Sequence, residues 1–326
     1  MRSLNQNLVE LVKLLSDGEY HDGTSIGHQL NITRAAVWKV IKKLEEYEIP
    51  LTSTKGKGYR LESALILLDA NQLKSLLRHS AVKLNILEKT TSTNDYLKQL
   101  AQDNKAITVC LAEMQSGGKG RLHRQWYSPF AENIYLSMRC PFEKDISELS
   151  GLSLVIGLAV CHAIETTLNL RGKKLTVKWP NDVIVDDHKL AGTLIEMQAE
   201  SNGFCQVIIG VGVNVNMRKA LKKNIGQPWT SLLKVTDQYV DRNVLGARLI
   251  DSLIDYLERF SLKGLAAFAD EWRQRDCLCH ATISVVSGNK KFQGVCTGIN
   301  QQGHLTMKTE AGDALMFSSG DTTLMK

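Results

Sequence analysis

The sequence predicts an α+β protein with several domains: an N-terminal winged helix-turn-helix, a central mixed α+β domain and a small C-terminal all-β domain. Three features of the 326 residues support this class. Helical periodicity followed by a basic, glycine-rich hairpin pattern occupies the N-terminus, strands and helices alternate from about residue 83, and strand patterns alone follow residue 275. We therefore expect domains at 1–64, 83–274 and 275–326, with a linker at 65–82.

Three helices are predicted in the N-terminal domain. Apolar side chains recur at helical spacing until Asp17-Gly18, which ends the first helix. A second helix is expected over about residues 24–30, with Thr24 or Ser25 as its N-cap. Thr33 is predicted to cap a third helix, which extends from Arg34 to about Tyr47.

Residues 51–61 have the pattern of two short strands around a glycine-rich turn, which is typical of a wing. Residues 33–60 include seven basic and three acidic side chains, so positive charge is concentrated here. We expect the third helix to enter the major groove of DNA and the wing to lie on the phosphates. The alternative is a helical interaction module with a solvated basic face. The predicted DNA contacts are Arg34, Trp38, Lys39, Lys42 and Lys43 on the helix, and Lys55, Lys57 and Arg60 on the wing.

The central domain should contain a mixed, largely antiparallel sheet, because its polar, glycine-bearing gaps fit hairpins better than repeated βαβ crossovers. One helix at about 69–77 is expected in the linker that precedes it. The predicted strands are 84–88, 107–115, 133–139, 175–179, 183–185, 190–197 and 206–215, and the predicted helices are 147–168, 242–260 and 265–273.

The C-terminal residues show strand patterns only, at 281–286, 291–299, 305–309 and 314–318. Glycine-bearing turns at 287–289 and 301–303 separate these strands. We expect a small all-β barrel of the SH3-like type.

Composition excludes several classes of protein. Apolar content of 43% and charged content of 23% are ordinary for a globular protein, and no apolar run is long enough for a membrane span. The N-terminus lacks the apolar core of a signal peptide, so a cytoplasmic location and no membrane partner are expected.

The chain has seven cysteines, an odd number, and we expect them to be reduced and mostly structural. Cys277, Cys279 and His280 lack a second ligand pair at zinc-site spacing, so no metal ligands are assigned.

Two separated segments carry the chemistry. Residues 113–121 form a glycine-rich loop with two cations, Lys119 and Arg121, and residues 178–182 place a third cation, Lys178, beside a Trp-Pro turn. Such cations can cancel the repulsion between a small carboxylate and a nucleotide phosphate. The loop matches neither the P-loop nor the dinucleotide-binding pattern. A surface turn with solvated charges is the alternative for the loop taken alone.

These segments, in this order, resemble the bifunctional biotin protein ligase and biotin operon repressor family of bacteria. The resemblance covers nearly the whole chain, from the winged helix at the N-terminus to the barrel at the C-terminus. It rests on Ser92-Thr93-Asn94, the glycine loop, Lys178-Trp179-Pro180-Asn181-Asp182, Lys189-Leu190-Ala191-Gly192 and the run that ends at Asn216.

The resemblance implies a central catalytic domain of the biotin/lipoate ligase type and a reaction in two steps. Biotin and ATP, with Mg²⁺ at the phosphates, form biotinyl-5′-adenylate, and a lysine of the biotin carboxyl carrier domain of acetyl-CoA carboxylase then takes the biotin. It also implies an adenylate-bound homodimer that binds operator DNA and represses biotin synthesis genes. Three alternatives remain: a ligase with a non-regulatory winged helix, a lipoate or octanoate ligase, and a ligand-sensing repressor without catalysis.

The resemblance also implies roles for single residues. Ser92, Thr93, Asn94 and Gln115 resemble the polar contacts to biotin. Lys119, Gly120 and Arg121 resemble the loop over biotin and the adenylate phosphate, and Lys178 resembles the cation that bridges the two anions. Gly118, Trp126 and Asn214 resemble the adenylate contacts, although core packing is an alternative for Trp126. Asp182 is a candidate to orient Lys178 or to help deprotonate the incoming lysine.

The glycine loop departs from the family pattern. The family usually has Gly-Arg-Gly-Arg-x-Gly, whereas this chain has Gly118-Lys119-Gly120-Arg121-Leu122-His123. Lysine at 119 keeps the charge but cannot make a bidentate contact, and His123 should stiffen the loop. We expect these changes to affect ligand affinity and loop ordering more than the type of reaction.

Overall fold

The computed structural model describes residues 6–100, 106–142, 146–199, 205–220 and 225–325. The N-terminal domain has helices α1 (Gln6–Leu15), α2 (Gly23–Leu30) and α3 (Arg34–Glu46), followed by the antiparallel strands β1 (Leu51–Thr54) and β2 (Gly58–Leu61). The winged helix-turn-helix is therefore confirmed. Its core consists of buried apolar side chains from all three helices and the wing.

Of the two helix N-caps predicted in this domain, that of α3 is correct and that of α2 is wrong. Thr33 caps α3, and its hydroxyl accepts a hydrogen bond from the backbone N–H of Ala36 at 3.2 Å. Helix α2 is capped by Asp22 instead of Thr24 or Ser25, because the helix begins one residue earlier than predicted. The carboxylate of Asp22 accepts from the backbone N–H groups of both residues, so these lie within the first turn.

Helix α4 (Ala70–Leu76) lies in the linker, close to its predicted position. A buried ion pair anchors the preceding linker residues to the central domain. Glu113 and Arg242 are fully buried and lie 2.5 Å apart. Glu113 accepts from the backbone N–H of Leu68 at 2.6 Å, and Arg242 donates to the carbonyl of Ile66 at 2.9 Å. Breaking such a pair would leave an uncompensated buried charge.

The central domain has a seven-stranded sheet in the order β3-β4-β5-β9-β8-β7-β6. Strands β3 and β4 are parallel and the other neighbouring pairs are antiparallel, so the largely antiparallel sheet is confirmed. The strands are β3 (Lys83–Thr90), β4 (Thr108–Gln115), β5 (Ile134–Phe142), β6 (Thr176–Lys178), β7 (Asp182–Val185), β8 (His188–Ala199) and β9 (Cys205–Val213).

Helices cover this sheet and form the core together with its strands. The pair α6 (Leu152–Thr167) and α8 (Arg242–Lys263) pack together, and α5 (Thr93–Gln99) packs on β4, β5 and β9. Helices α7 (Leu232–Thr236) and α9 (Ala269–Arg275) are short. Helix α6 begins five residues later than predicted, because Gly151 before it has a φ of 80°. The part of the chain that is described contains no helix long and apolar enough to cross a membrane.

The C-terminal domain is an antiparallel sheet in the order β13-β12-β11-β10-β14. Its strands are β10 (Thr282–Ser287), β11 (Lys290–Ile299), β12 (Leu305–Lys308), β13 (Ala314–Phe317) and β14 (Asp321–Leu324), of which β14 was not predicted. The all-β class is confirmed. Hydrogen bonds between the described strands leave β13 and β14 as edges, so they do not close the expected barrel.

Candidate active site

A cavity of about 720 Å³ lies between the central sheet, the glycine loop and the start of β14. This volume is typical of ligand pockets, which span roughly 300–1,000 Å³. The structure brings nine of the predicted site residues to its wall: Ser92, Thr93, Asn94, Gln115, Lys119, Gly120, Arg121, Trp126 and Lys178.

Gly118 and Asn214 are not part of this wall. Gly118 lines a smaller cavity of about 230 Å³ behind the loop. A Cβ atom there would lie 2.5 Å from the carbonyl of Trp126, so close packing explains the glycine. Asn214 is buried, and its amide nitrogen donates to the carbonyl of Thr230 at 3.0 Å. The structure therefore does not bring these two residues to the wall of the larger cavity, and their contacts with the adenylate stay a prediction.

A row of hydrogen-bonded polar side chains forms one wall of the cavity. Gln115 accepts from the backbone N–H of Thr93 at 2.9 Å, and the hydroxyl of Thr93 lies 3.2 Å from the same amide oxygen. The hydroxyl of Ser137 donates to Oδ1 of Asn94 at 2.5 Å. Ser92 caps α5 and so holds this row at the start of the helix. These groups form a preorganised polar surface for a neutral ligand with its own donors and acceptors.

Two cations face the cavity without a carboxylate partner. Lys178, at the end of β6, is half-buried, and its ammonium group makes no hydrogen bond or ion pair within the described ranges. Arg121 donates to Oδ1 of Asn181 and to the carbonyl of Gly320, both at 3.3 Å, and these acceptors are neutral. Burial lowers the pKa of Arg121 from its usual value, although Asp321 and Asp182 oppose the effect. Both cations are therefore available to an anionic ligand.

The other basic side chains around the cavity are already paired. Lys119 lies 2.6 Å from Asp95, Lys189 lies 2.7 Å from Asp182, and Arg124 pairs with Asp321. The carboxylate of Asp182 therefore pairs with Lys189 and not with Lys178, and its expected help in deprotonating the incoming lysine stays a prediction.

Trp126 lies flat against the sheet beside two glycines. A Cβ atom at Gly212 would lie 2.4 Å from its indole ring, and one at Gly192 would lie 3.1 Å from it. The ammonium of Lys189 is 5.4 Å from the ring centre. The indole N–H is buried and has no hydrogen-bond partner within the described part of the chain. The ring is therefore placed at the cavity wall with an unused donor, which a bound ligand could satisfy.

The C-terminal domain completes the cavity, which the sequence did not predict. Asp321, Thr322 and Thr323 line the wall. Thr322 donates to the carbonyl of Trp179 at 2.9 Å, and the indole of Trp179 donates to the carbonyl of Gly303 at 3.0 Å. Ser137 and Asn181 were missed as well. Ser137 and Asn181 reach the site through the folding of the central domain, whereas Asp321, Thr322 and Thr323 reach it through the packing of the C-terminal domain. None of these residues belongs to the glycine loop.

The tip of the glycine loop has an unusual backbone. Leu122 and His123 are exposed and have φ values of 52° and 59°, in the left-handed region. The N–H of Gly120 donates to the carbonyl of Arg124 at 2.7 Å and closes the turn. Non-glycine residues adopt this region at a cost, which gives a physical reason for the glycine that the family has at position 123.

The cavity does not provide a metal site of its own. Its carboxylates, Asp182 and Asp321, are each paired with a basic side chain. The described residues also include no cluster of three potential metal ligands. Mg²⁺ that enters with a nucleotide would bind its phosphates, and no described residue is assigned as its ligand.

The predicted DNA contacts are mostly exposed. Arg34, Trp38, Lys39 and Lys42 lie on the outer face of α3, and the side chain of Trp38 is 52% exposed. On the wing, Lys55 and Lys57 are exposed, whereas Arg60 is half-buried and its guanidinium lies 4.8 Å from the ring centre of Tyr20.

Lys43 does not lie on this outer face, so its predicted contact with DNA is corrected. It faces the central domain, where it pairs with Glu88. The last turn of α3 packs against that domain, because Tyr47 stacks on Phe130 with ring centres 4.6 Å apart and also donates a hydrogen bond to Glu88.

Comparison with known proteins agrees with this architecture. Residues 86–214 match the model of the biotin/lipoate A/B protein ligase family, and residues 7–60 match an HTH domain. The bifunctional ligase/repressor BirA of Salmonella typhimurium is 36% identical over 92% of each chain. The protein of that name from Escherichia coli is 35% identical over 93% of this chain and 92% of its own.

A solved structure is similar to three quarters of the chain. The biotin protein ligase from Aquifex aeolicus, in complex with biotin and ATP, is 26% identical with a TM-score of 0.62. The match covers 75% of this chain and 99% of that one. With the relatives that match nearly end to end, these findings show that the chain belongs to the family of bifunctional ligase/repressor BirA proteins.

Proposed function

We propose that the chain is an ATP-dependent biotin protein ligase and a transcriptional repressor of biotin synthesis genes. As a ligase it forms biotinyl-5′-adenylate and transfers biotin to one lysine of the biotin carboxyl carrier domain of acetyl-CoA carboxylase. The observation that carries the proposal is the pair of cations without a carboxylate partner, Lys178 and Arg121, in the same cavity as the polar row of Thr93, Asn94 and Gln115.

The first step joins two anions. A carboxylate oxygen of biotin attacks the α-phosphorus of ATP, the new P–O bond forms, and the bond to the β-phosphate oxygen breaks to release pyrophosphate. Lys178 and Arg121 offset the repulsion between carboxylate and phosphate, and their charge acts where negative charge develops. No protein nucleophile is required.

The second step consumes the mixed anhydride. The neutral ε-amine of the carrier lysine attacks the acyl carbon, the C–O bond to the phosphate breaks, AMP leaves and the amine loses a proton. Lys178 stabilises the departing phosphate. Asp182 is ion-paired with Lys189 and is not needed for either step in this account.

The remaining site residues have roles in binding. Ser92, Thr93, Asn94 and Gln115 contact biotin through their hydrogen-bonding groups. Lys119 and Gly120 belong to the loop that covers biotin and the adenylate phosphate. Trp126 packs against the adenine. Two observations support this interpretation: the indole N–H has no hydrogen-bond partner in the described part of the chain, and the ring packs closely against Gly192 and Gly212.

The regulatory half rests on the winged helix. The outward face of α3 and the wing carry the basic side chains that would contact operator phosphates. We propose that bound adenylate favours a homodimer, which matches a two-fold operator, and that the protein acts in the cytoplasm. The relatives named bifunctional ligase/repressor support this assignment.

Transfer to a carrier domain tests the ligase. Purified protein is incubated with ATP, biotin and a biotin carboxyl carrier domain, and the acceptor is analysed by mass spectrometry. We expect one biotinyl adduct on one lysine. A lipoyl or octanoyl adduct with those acids and none with biotin would favour the lipoate ligases, which the same family model includes.

DNA binding tests the regulatory half separately. DNA upstream of the biotin synthesis genes is titrated with and without biotin plus ATP. We expect tighter binding with both substrates present. Ligase activity without any DNA binding would leave a ligase with a non-regulatory winged helix, and ligand-dependent DNA binding without ligase activity would leave a sensor.

A further inference from the structure

Glu196, on β8, lies behind the polar row and is not part of the cavity wall. We propose that Glu196 is a positioning residue that fixes which atoms of the biotin-binding row donate hydrogen bonds and which accept them. This inference rests on the proposed function, because it assigns the row to biotin. It adds a residue that no sequence motif indicated.

The carboxylate of Glu196 determines the orientation of the Asn94 amide. An ionised carboxylate can only accept, so the side-chain nitrogen of Asn94 must face it, and this nitrogen lies 2.8 Å from Oε2. The carbonyl oxygen Oδ1 then faces Ser137, whose hydroxyl donates to it at 2.5 Å.

The orientation continues along the row because each hydroxyl has a single proton. The proton of Ser137 is used by Asn94, so the hydroxyl of Thr93, 2.6 Å from that of Ser137, must donate its own proton to Ser137. Oε1 of Gln115 is held separately by the backbone N–H of Thr93, so its amide nitrogen donates to Ser128 at 3.0 Å. One carboxylate thus sets the polarity of three side chains, those of Asn94, Ser137 and Thr93.

Packing prevents the row from adjusting easily. Asn94 is only 4% exposed, and a Cβ atom at Gly210 would lie 2.5 Å from its Oδ1. The other oxygen of Glu196 is held by Lys98 at 2.6 Å. The amide of Asn94 is therefore confined between the strand and the carboxylate. If a group that can both donate and accept replaced the carboxylate, the amide could rotate by half a turn and exchange the positions of its oxygen and nitrogen.

A simpler role for Glu196 is to pair with Lys98 and stabilise the fold. The two roles differ in their consequences. A stabilising ion pair would change the melting temperature and leave the Michaelis constants alone, whereas a positioning residue would raise the KM for biotin and leave the KM for ATP unchanged.

The test uses Glu196→Gln in the full chain, because glutamine has the same shape but can present its own NH₂ group to Asn94. Biotin-dependent pyrophosphate exchange is measured with wild type, Glu196→Gln and Lys98→Met. We expect Glu196→Gln to raise the KM for biotin about tenfold or more, as loss of a charged hydrogen bond does. The KM for ATP and the melting temperature should remain those of the wild type. Lys98→Met keeps the contact between Glu196 and Asn94, so its KM for biotin should stay within about threefold of the wild-type value.

A second variant shows whether the effect passes through Asn94. In an Asn94→Ala background we expect Glu196→Gln to have little further effect on the KM for biotin. The proposal is wrong if Glu196→Gln keeps the wild-type KM for biotin, or if its effect is equally large without Asn94. Wild-type protein with no biotin-dependent exchange would instead overturn the proposed function, and this inference with it.

Discussion

Lys178 and Asp182 lie directly opposite each other across the β6–β7 hairpin, yet Asp182 forms its ion pair with Lys189, at 2.7 Å. The ammonium of Lys178 is left without a carboxylate partner within the described ranges. A half-buried cation with no counter-ion has a strong electrostatic interaction to offer a ligand. The arrangement of this hairpin therefore leaves one positive charge available to an anionic ligand.

Loss of Lys178 should abolish most of the chemistry. We expect Lys178→Ala to lower the rate of biotin-dependent pyrophosphate exchange by about 10²–10³, while calorimetry still detects biotin binding to the polar row. Lys174→Ala removes an exposed lysine from the same region and is the matched control. Near-normal turnover of Lys178→Ala would show that Lys178 is not the bridging cation.

Arg121 should retain the reactive intermediate in the site. It reaches Asn181 and Gly320 across the cavity, so its removal opens the wall beside the adenylate. We expect Arg121→Gly to release biotinyl-adenylate and to label lysines on unrelated proteins in a mixed-protein assay. Arg171→Gly, at an exposed turn, is the control. Labelling as selective as that of the wild type would remove this role from Arg121.

The loop tip should tolerate glycine better than its present residue. His123 has a left-handed φ of 59°, which glycine adopts without strain. We expect His123→Gly to raise the free energy of unfolding by up to about 1 kcal/mol in urea titrations. His188 is also exposed but does not have a positive φ, so His188→Gly should lower the same quantity. A lower free energy of unfolding in His123→Gly would show that the backbone at His123 is not strained.

Glu132 should make stability depend on pH. Burial raises its pKa to about 7, although Arg242 and Lys219 oppose the effect. The unfolded carboxyl ionises at lower pH than the folded one, so ionisation disfavours the folded state. Stability should fall as the pH rises from about 4.5 to about 7, by at most about 3 kcal/mol.

Glu132→Gln removes this titration. Its gain in unfolding free energy over the wild type should therefore be larger at pH 8 than at pH 4.5, as measured by urea unfolding at both values. Glu310→Gln, at an exposed position, should show no such difference. An equal gain at both pH values would contradict the assignment to Glu132.

The two lysines of α3 should differ in DNA binding. Lys39 is exposed, whereas Lys43 pairs with Glu88 of the central domain. We expect Lys39→Ala to weaken binding to DNA upstream of the biotin synthesis genes. The slope of log K against log salt should decrease by about 1. Lys43→Ala should leave that slope unchanged, and neither variant should lose pyrophosphate exchange. Equal losses of slope would place Lys43 on the DNA face.

The sequence predicted the fold wherever periodicity was long or turn signals were strong. Helix α8 and the strands of the central sheet have clear patterns, and Thr33 is an ordinary N-cap. Helix α5 was missed because its seven residues are mostly polar and its apolar contacts are few. Strand β14 is only four residues long and follows a glycine, so it has little periodicity to detect.

The site was predictable to the extent that it consists of local motifs. The glycine loop, Ser92-Thr93-Asn94 and Lys178 converge on one cavity. The contributions of Ser137, Glu196 and Thr322 arise from register and domain packing, which a single sequence does not reveal. Asn214 is a motif residue that the structure places outside the cavity wall, where its amide donates to the carbonyl of Thr230.

The most direct test of the central claim is pyrophosphate exchange into ATP with biotin, lipoate or octanoate as the only acid. The account predicts exchange that depends on biotin and that is lost in Lys178→Ala. Exchange with lipoate or octanoate but not with biotin, or no exchange with any of the three acids, would contradict it.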